Sequence, residues 1–302
     1  MTVRTVSVAG ATSLLGQHLL ARLASDPAYR VASLHDRLAL TGATSLAGCG
    51  HWHLDPALAE GFRDVPLLPP DAPARAPILL SFLPDDGARE AEAAHLARGT
   101  RVVTHCEHAR LTVPLALPGI APIDPDATHL ATPNCTTAIC ALPLRHLHDA
   151  HSVAHATITT LQAISGTDLP GMQAHAIHDR VVGHIPGEAD ALRDELGVVF
   201  GGAFPVDVFA TRVPVWRGHT ITLALRLSDG ADAAAVARTL SDVPGLALTG
   251  LPDGRDRFAP DAPLTTVTTI RDGADSVLLV LKGDNLEAAT TGLMHAILRA
   301  LR

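Results

Sequence analysis

The sequence predicts an α/β protein of two domains, a parallel-sheet domain followed by a second, α+β domain. Strand-like segments alternate with helix-like ones up to about residue 130, which implies a parallel sheet with helices on both faces. Beyond residue 152 the pattern becomes long two-residue alternation, the mark of a sheet with one face on a core and one against solvent or a partner. The 302 residues, 47% of them hydrophobic, suffice for two domains with sizeable cores.

The first strand is Thr5–Ala9, followed by a turn from Gly10 to Gly16. Leu14, Leu15, Leu19, Leu20 and Leu23 then recur at helical spacing. A second strand spans Tyr29 to Leu34, a buried strand Ile78–Phe82, a helix Asp85 to about Arg98, and a further strand Arg101–Thr104. In the second domain Ala154, Ala156, Ile158, Thr160, Gln162 and Ile164 share one strand face. His219, Ile221, Leu223, Leu225 and Leu227 share another. Leu251 to Pro263, rich in Pro, Asp and Gly, reads as a surface loop. The last element, Asp284 to Arg302, reads as a capped amphipathic helix.

Composition narrows the function classes. A mean hydropathy of +0.23 excludes disorder. Aromatics at 3% argue against a stacking platform for single strands, and a net charge of −8 argues further against nucleic acid. No apolar run is long enough to span a membrane, the N-terminus lacks signal-peptide shape, and four cysteines make no disulfide scaffold. A soluble cytoplasmic protein is expected.

Two segments carry chemistry. The turn Gly10-Ala11-Thr12-Ser13-Leu14-Leu15-Gly16 between strand and helix suits backbone approach to a pyrophosphate at the helix N-terminus. Asp36 and Arg37 follow the second strand; an acid there favours a free ribose hydroxyl and an arginine a 2′-phosphate, so the element leaves the cofactor open. Cys135 lies in Thr132-Pro133-Asn134-Cys135-Thr136-Thr137 ahead of an apolar run. A helix N-terminus there would lower the thiol pKa; a small buried residue at a helix start is the competing reading. Cys140 reads as inert core, and Cys49 and Cys106 receive no role. Among 17 histidines, His219 stands out by position, after Gly218 and close to Arg212, a pairing suited to proton transfer and carboxylate recognition. Gln162 is an uncharged amide late in an apolar strand, able to orient a carbonyl.

Together with Ser81-Phe82-Leu83-Pro84, Leu161-Gln162-Ala163-Ile164-Ser165-Gly166, Ile185-Pro186-Gly187-Glu188, Arg212-Val213-Pro214-Val215 and Gly283-Asp284-Asn285-Leu286, these segments resemble the aspartate-β-semialdehyde dehydrogenase family, its archaeal and fungal branch, in order and over nearly the whole chain. The resemblance implies an NADP-binding Rossmann-type domain over 1–132 and 284–302, with NAD left open, and a catalytic and dimerisation domain over 133–283. It implies a homodimer or homotetramer acting on a small molecule, without a metal. It implies that Cys135 attacks an acyl phosphate, L-aspartyl 4-phosphate, to form a thioester that hydride reduces to the semialdehyde. His219 would be the acid/base and Gln162 would orient the carbonyl. Arg212 would grip the substrate carboxylate, Glu188 would face its amino group, Arg110 would bind phosphate, and Asn134 would lie against the substrate. Gly10 to Gly16, Arg37, Ser165, Gly166 and Asn285 would contact the cofactor.

The sequence departs from the family in places. Ala191 stands where the family carries a phosphate-binding lysine, and Thr104-His105-Cys106-Glu107 differs from its usual Ser, Asn, Ala, Ser. An acyl-coenzyme A donor is therefore an alternative. A non-catalytic nucleotide-binding paralogue and a cofactor-free thiol hydrolase are the other readings.

Overall fold

A computed structural model describes residues 3–47, 52–167, 171–249 and 262–301. Cys49 and residues 251–261 of the expected surface loop lie outside the described residues. The chain divides into two compact units, one of Met1–Pro118, Ile123–Thr132 and Thr290–Arg302, the other of Gly119–Pro122 and Pro133–Ala289.

The first unit holds β1 (Arg4–Ala9), α1 (Leu14–Ala24), β2 (Tyr29–His35), α2 (Pro56–Gly61), β3 (Leu67–Leu68), β4 (Ile78–Ser81), α3 (Asp85–Ala97), β5 (Arg101–Thr104) and β6 (His129–Ala131). The strands form a parallel sheet in the order β3-β2-β1-β4-β5-β6. The order reverses at β1, the position where such sheets open a crevice for ligands. Val6, Val8, Leu79, Leu80, Val102 and Val103 are buried along the strands, so the strands read as continuous apolar runs. α1 buries Leu19, Leu20 and Leu23 and is capped by Ser13, whose hydroxyl accepts from the Gly16 amide at 3.0 Å. The Asp85 helix has a kink at its start, where Gly87 takes a φ of 80°.

The second unit holds α4 (Cys135–His151), β7 (Val153–Gln162), α5 (Ala174–Ile177), α6 (Glu188–Phe200), β8 (Val206–Arg212), β9 (His219–Leu227), α7 (Ala233–Leu240), β10 (Leu246–Leu248), β11 (Thr265–Asp272) and β12 (Val277–Gly283). Its mixed sheet runs β10-β11-β12-β9-β7-β8. The inner face of β9 carries His219, Ile221, Leu223 and Leu225, all buried. On β7 the buried face begins at Ala156. Ala154 is exposed beside a register shift, and Ile164 lies in a 3₁₀ turn beyond the strand.

The final segment corrects the sequence reading. It is not one helix from Asp284: β12 is followed by a turn and a π-helical stretch at Glu287–Thr291, and α8 spans only Gly292–Ala300. Asp284 does accept from the Leu286 amide at 3.1 Å, but its buried carboxylate is also held by the Arg217 guanidinium. The second unit runs to Ala289, whereas the sequence division gives 284–302 to the first. No described helix is long and apolar enough to cross a membrane.

Candidate active site

In the second unit three strand ends and a helix start bring the polar groups together. β7 and β8 pair in parallel with Gln162 opposite Arg212 at their ends. β9 pairs antiparallel with β7, with Leu161 opposite Thr220, so His219 starts its strand where β7 finishes. α4 begins at Cys135 because Asn134 caps it: the Asn134 side-chain oxygen accepts from the Thr136 amide at 2.9 Å and hydroxyl at 2.8 Å. α6 is placed by the Val182–Arg212 backbone bridge ahead of it and by Gly187, whose φ of 78° turns the chain into Glu188.

Cys135 Sγ lies 3.3 Å from His219 Nε2 and 3.5 Å from Asn134 Oδ1. The thiol sits at the positive end of α4, where the aligned peptide dipoles favour the thiolate. The other nitrogen of His219, Nδ1, accepts from the Ala163 backbone N–H at 3.0 Å. A backbone amide can only donate, so the proton of the neutral imidazole rests on Nε2 and points at the sulfur. Burial, aided by the Arg212 charge, pushes the His219 pKa down to about 3. His219 is therefore a neutral hydrogen-bond donor to the sulfur; protonating Nδ1 would bring two N–H groups face to face.

The remaining groups form one network. Glu188 accepts from Asn134 Nδ2 at 3.0 Å and from Gln162 Nε2 at 2.9 Å. Arg212 is buried, donates to the Ala163 carbonyl at 2.8 Å, and lies 3.4 Å from Gln162 Oε1. Burial lowers its pKa, with Glu188 and Cys135 opposing. Gly166 closes the site from one side: a Cβ there would fall 2.8 Å from Arg212 Nη1 and 3.3 Å from His219 Cε1. Asn285 accepts from the Gly218 amide at 2.9 Å and bonds Ser165 at 3.1 Å. These two buried residues thus hold the chain entering His219.

Glu195 is not among the residues the sequence singles out. Its buried carboxylate accepts from the Asn134 backbone N–H at 2.7 Å, directly before the cysteine. It lies seven residues after Glu188, on the same side of α6, and that spacing is the signal that was available. Ala191 shares this side, while Arg193 faces outward to Asp190 at 2.7 Å and Asp194 at 2.9 Å. The site-facing side of α6 thus carries two carboxylates and no cation.

The first unit holds the other expected residues. Gly10 has a φ of 73°, and a Cβ there would collide with the Phe82 carbonyl. The N–H groups of a helix's first turn have no carbonyl partner within the helix, which at the start of α1 fits a pyrophosphate. Asp36 is committed to the turn, accepting from Thr12 N at 2.9 Å, Thr12 Oγ1 at 2.8 Å and Leu38 N at 3.0 Å. Arg37 remains at the surface in a 3.3 Å pair with Asp86. Arg110 is buried and donates to the His105 carbonyl at 2.8 Å.

A parallel sheet with a glycine-opened helix, and a second unit built around a cysteine–histidine pair, define an NAD(P)-dependent oxidoreductase of the aldehyde-forming class. Comparison with known proteins makes this specific. The chain is 30% identical to aspartate-semialdehyde dehydrogenase of Archaeoglobus fulgidus over 240 residues, 72% of this chain and 69% of the relative. It is 30% identical to that of Cryptococcus neoformans over 257 residues, 74% and 70%. It is 29% identical to that of Methanothermobacter thermautotrophicus over 266 residues, 80% and 76%. Among solved structures, aspartate semialdehyde dehydrogenase II of Vibrio cholerae complexed with ASA aligns at a TM-score of 0.83 and 18% identity, covering 99% of this chain and 98% of that one. The Candida albicans enzyme with NADP aligns at 0.81 and 22%, covering 99% of each. No family model matches. The chain belongs to the aspartate-semialdehyde dehydrogenase family.

Proposed function

We propose that this protein reduces L-aspartyl 4-phosphate to L-aspartate 4-semialdehyde and phosphate with NADPH, through a thioester on Cys135. The observation that carries this is the 3.3 Å contact between the Cys135 sulfur and His219 Nε2, with the imidazole proton held on that nitrogen by Ala163. The ionised sulfur attacks the acyl carbon, and collapse of the adduct expels phosphate and leaves the thioester. NADPH, when bound, supplies hydride to that carbon. The thiohemiacetal oxyanion then collapses, the carbon–sulfur bond breaks, and the aldehyde leaves the thiolate in place.

His219 donates its Nε2 hydrogen bond to the sulfur as thiolate and to the oxygen that gathers charge on the reacting carbon. Arg212, the buried cation, binds the substrate carboxylate. Glu188, held by Asn134 and Gln162, takes its ammonium group, while the Gln162 amide orients the acyl oxygen. Arg110 serves the phosphate. The start of α1 binds the pyrophosphate, with Ser165, Gly166 and Asn285 lying along the cofactor. Since Asp36 is occupied by Thr12 and Leu38, Arg37 is the residue left for the 2′-phosphate, which favours NADP over NAD.

A second copy of the chain covers the outer face of the second sheet. Thr157, Thr159, Thr222, Ala224, Thr269 and Val280 line a shallow hollow of about 410 Å³ there. Phe209, the register partner of Thr159, is 65% exposed, and such a face suits a two-fold partner. The described cysteines Cys106, Cys135 and Cys140 are free thiols, which suits the cytoplasm.

The lack of a cation on the site-facing side of α6 favours a second reading, in which the thioester chemistry is kept and the acyl donor is a coenzyme A thioester. A reverse-direction assay separates the two. L-aspartate 4-semialdehyde and NADP⁺ should yield NADPH with phosphate or arsenate as acceptor. Turnover with coenzyme A alone would establish the second reading, and no turnover with any acceptor would refute both.

A further inference from the structure

The helix that carries the nucleophile lacks half of a cap of its own. In a capping box the residue at the third helical position, Glu or Gln, reaches back to accept from the N–H of the cap residue. Asn134 is the cap of α4, so the third position is Thr137, which has neither carboxylate nor amide to return. Among the described residues its buried hydroxyl has no hydrogen-bond partner. The acceptor comes instead from another helix. Glu195 on α6, 1% exposed, takes the Asn134 N–H at 2.7 Å from 61 residues further along the chain.

α6 is a firm support for that acceptor. Its Leu192 and Leu196 are buried. Arg145 of α4 donates to the Val199 carbonyl at 2.9 Å, and the same guanidinium lies 4.7 Å over the Phe200 ring. The two helices are therefore tied away from the cysteine as well as beside it. At the start of α6, Glu188 holds the Asn134 amide nitrogen at 3.0 Å, and two turns on Glu195 holds its backbone. The Asn134 amide oxygen accepts from the Thr136 N–H and hydroxyl, and Pro133 in front has its φ locked by its ring. Cys135 comes next. With its backbone set in this way, χ1 alone remains to place Sγ 3.3 Å from His219 Nε2.

We propose that Glu195 is a positioning residue for the nucleophile: by capping α4 from α6 it fixes where the Cys135 sulfur stands against His219. The role rests on the thioester reading of Cys135. A carboxylate is a stronger acceptor for a backbone N–H than a neutral oxygen, and a reacting atom displaced by about 1 Å can lose about 100-fold in rate. α6 thereby carries both Glu188, which receives the substrate ammonium group, and the residue that seats the attacking thiol, so the two keep a fixed spacing.

The test compares Glu195→Ala with Glu195→Gln in the full-length protein, since both lose the charge and only glutamine keeps an acceptor for the Asn134 N–H. One readout is alkylation of the Cys135 peptide by iodoacetamide at neutral pH. The other is kcat and KM in the reverse reaction of L-aspartate 4-semialdehyde, NADP⁺ and phosphate. Glu195→Ala should be alkylated about tenfold more slowly than Glu195→Gln and lose about 10- to 100-fold in kcat, with each KM within about twofold of the parent's. Glu195→Gln should keep kcat within about threefold of the parent. Equal alkylation and equal kcat in the two variants, or a raised KM with kcat unchanged, overturns the proposal and leaves Glu195 a stabilising cap alone. Should Glu195→Ala not fold, Glu195→Met replaces it, being of glutamine's length without an oxygen. If the parent itself shows no turnover, the thioester reading fails, and the alkylation ratio by itself decides whether Glu195 seats the sulfur.

Discussion

A backbone amide decides what His219 can do. Ala163 N–H occupies Nδ1, so the imidazole meets the sulfur with a hydrogen rather than a lone pair, and its basicity is suppressed to about 3. The rate of Cys135 alkylation should therefore show no inflection from His219 between about pH 5 and pH 8, where an unperturbed histidine titrates. His219→Gln should slow alkylation at neutral pH about tenfold, by removing a donor to the thiolate. An inflection near pH 6.5 in the native protein, lost in that variant, would show a basic imidazole instead. Arg212 makes a separate prediction. Arg212→Ala should raise the KM for the acyl substrate about 100-fold, at the cost of a charge-assisted bond, and leave the KM for NADPH nearly unchanged. Equal rises in both constants would remove its role in carboxylate binding. Ala163 also marks a limit of sequence reading, since its contribution is its amide and its side chain says nothing.

The elements divide by how their signals are written. α1 is legible because Ser13 and the leucine spacing agree, and α4 because Asn134, Cys135 and the threonines precede an apolar run. The segment after Gly283 misleads because Leu286, Ala289, Leu293 and Ile297 keep helical spacing through a π-helical stretch. Buried Asp284 is tied to Arg217, 67 residues away, a long-range bond that no local pattern contains. Glu195 is not legible because a carboxylate on an amphipathic helix reads as solvated, whereas here it bonds the residue before the nucleophile. α6 also carries a prediction. Since Glu188, Ala191 and Glu195 share one side of it, Ala191→Lys should place a cation there and raise kcat/KM for an acyl phosphate about tenfold, with a coenzyme A thioester unaffected. A gain for both donors, or for neither, would show that charge on this side does not select the acyl donor.

Across the whole molecule, buried neutral histidines set the response to acid. Burial holds His219 at about 3 and, with His95, His35 at about 4; burial and Arg110 hold His105 well below its ordinary value. The unfolded chain binds protons at these residues from about pH 6.5 downward while the folded chain does not. Their contribution to stability is therefore complete above that pH and is lost as the pH falls toward the folded-state values. Each such histidine costs up to about 1.4 kcal/mol per pH unit in that window. The urea midpoint should accordingly fall steadily from about pH 7 to pH 5, and a flat profile would mean that these imidazoles are open to protonation in the folded protein. Catalysis rests on one covalent intermediate, the thioester on Cys135. Its most direct test is the mass of the protein after incubation with L-aspartate 4-semialdehyde and NADP⁺ without any acceptor. An aspartyl group should appear on the Cys135 peptide, with one NADPH formed per group bound; NADPH formation with Cys135 unmodified, or an adduct on another residue, would contradict the account.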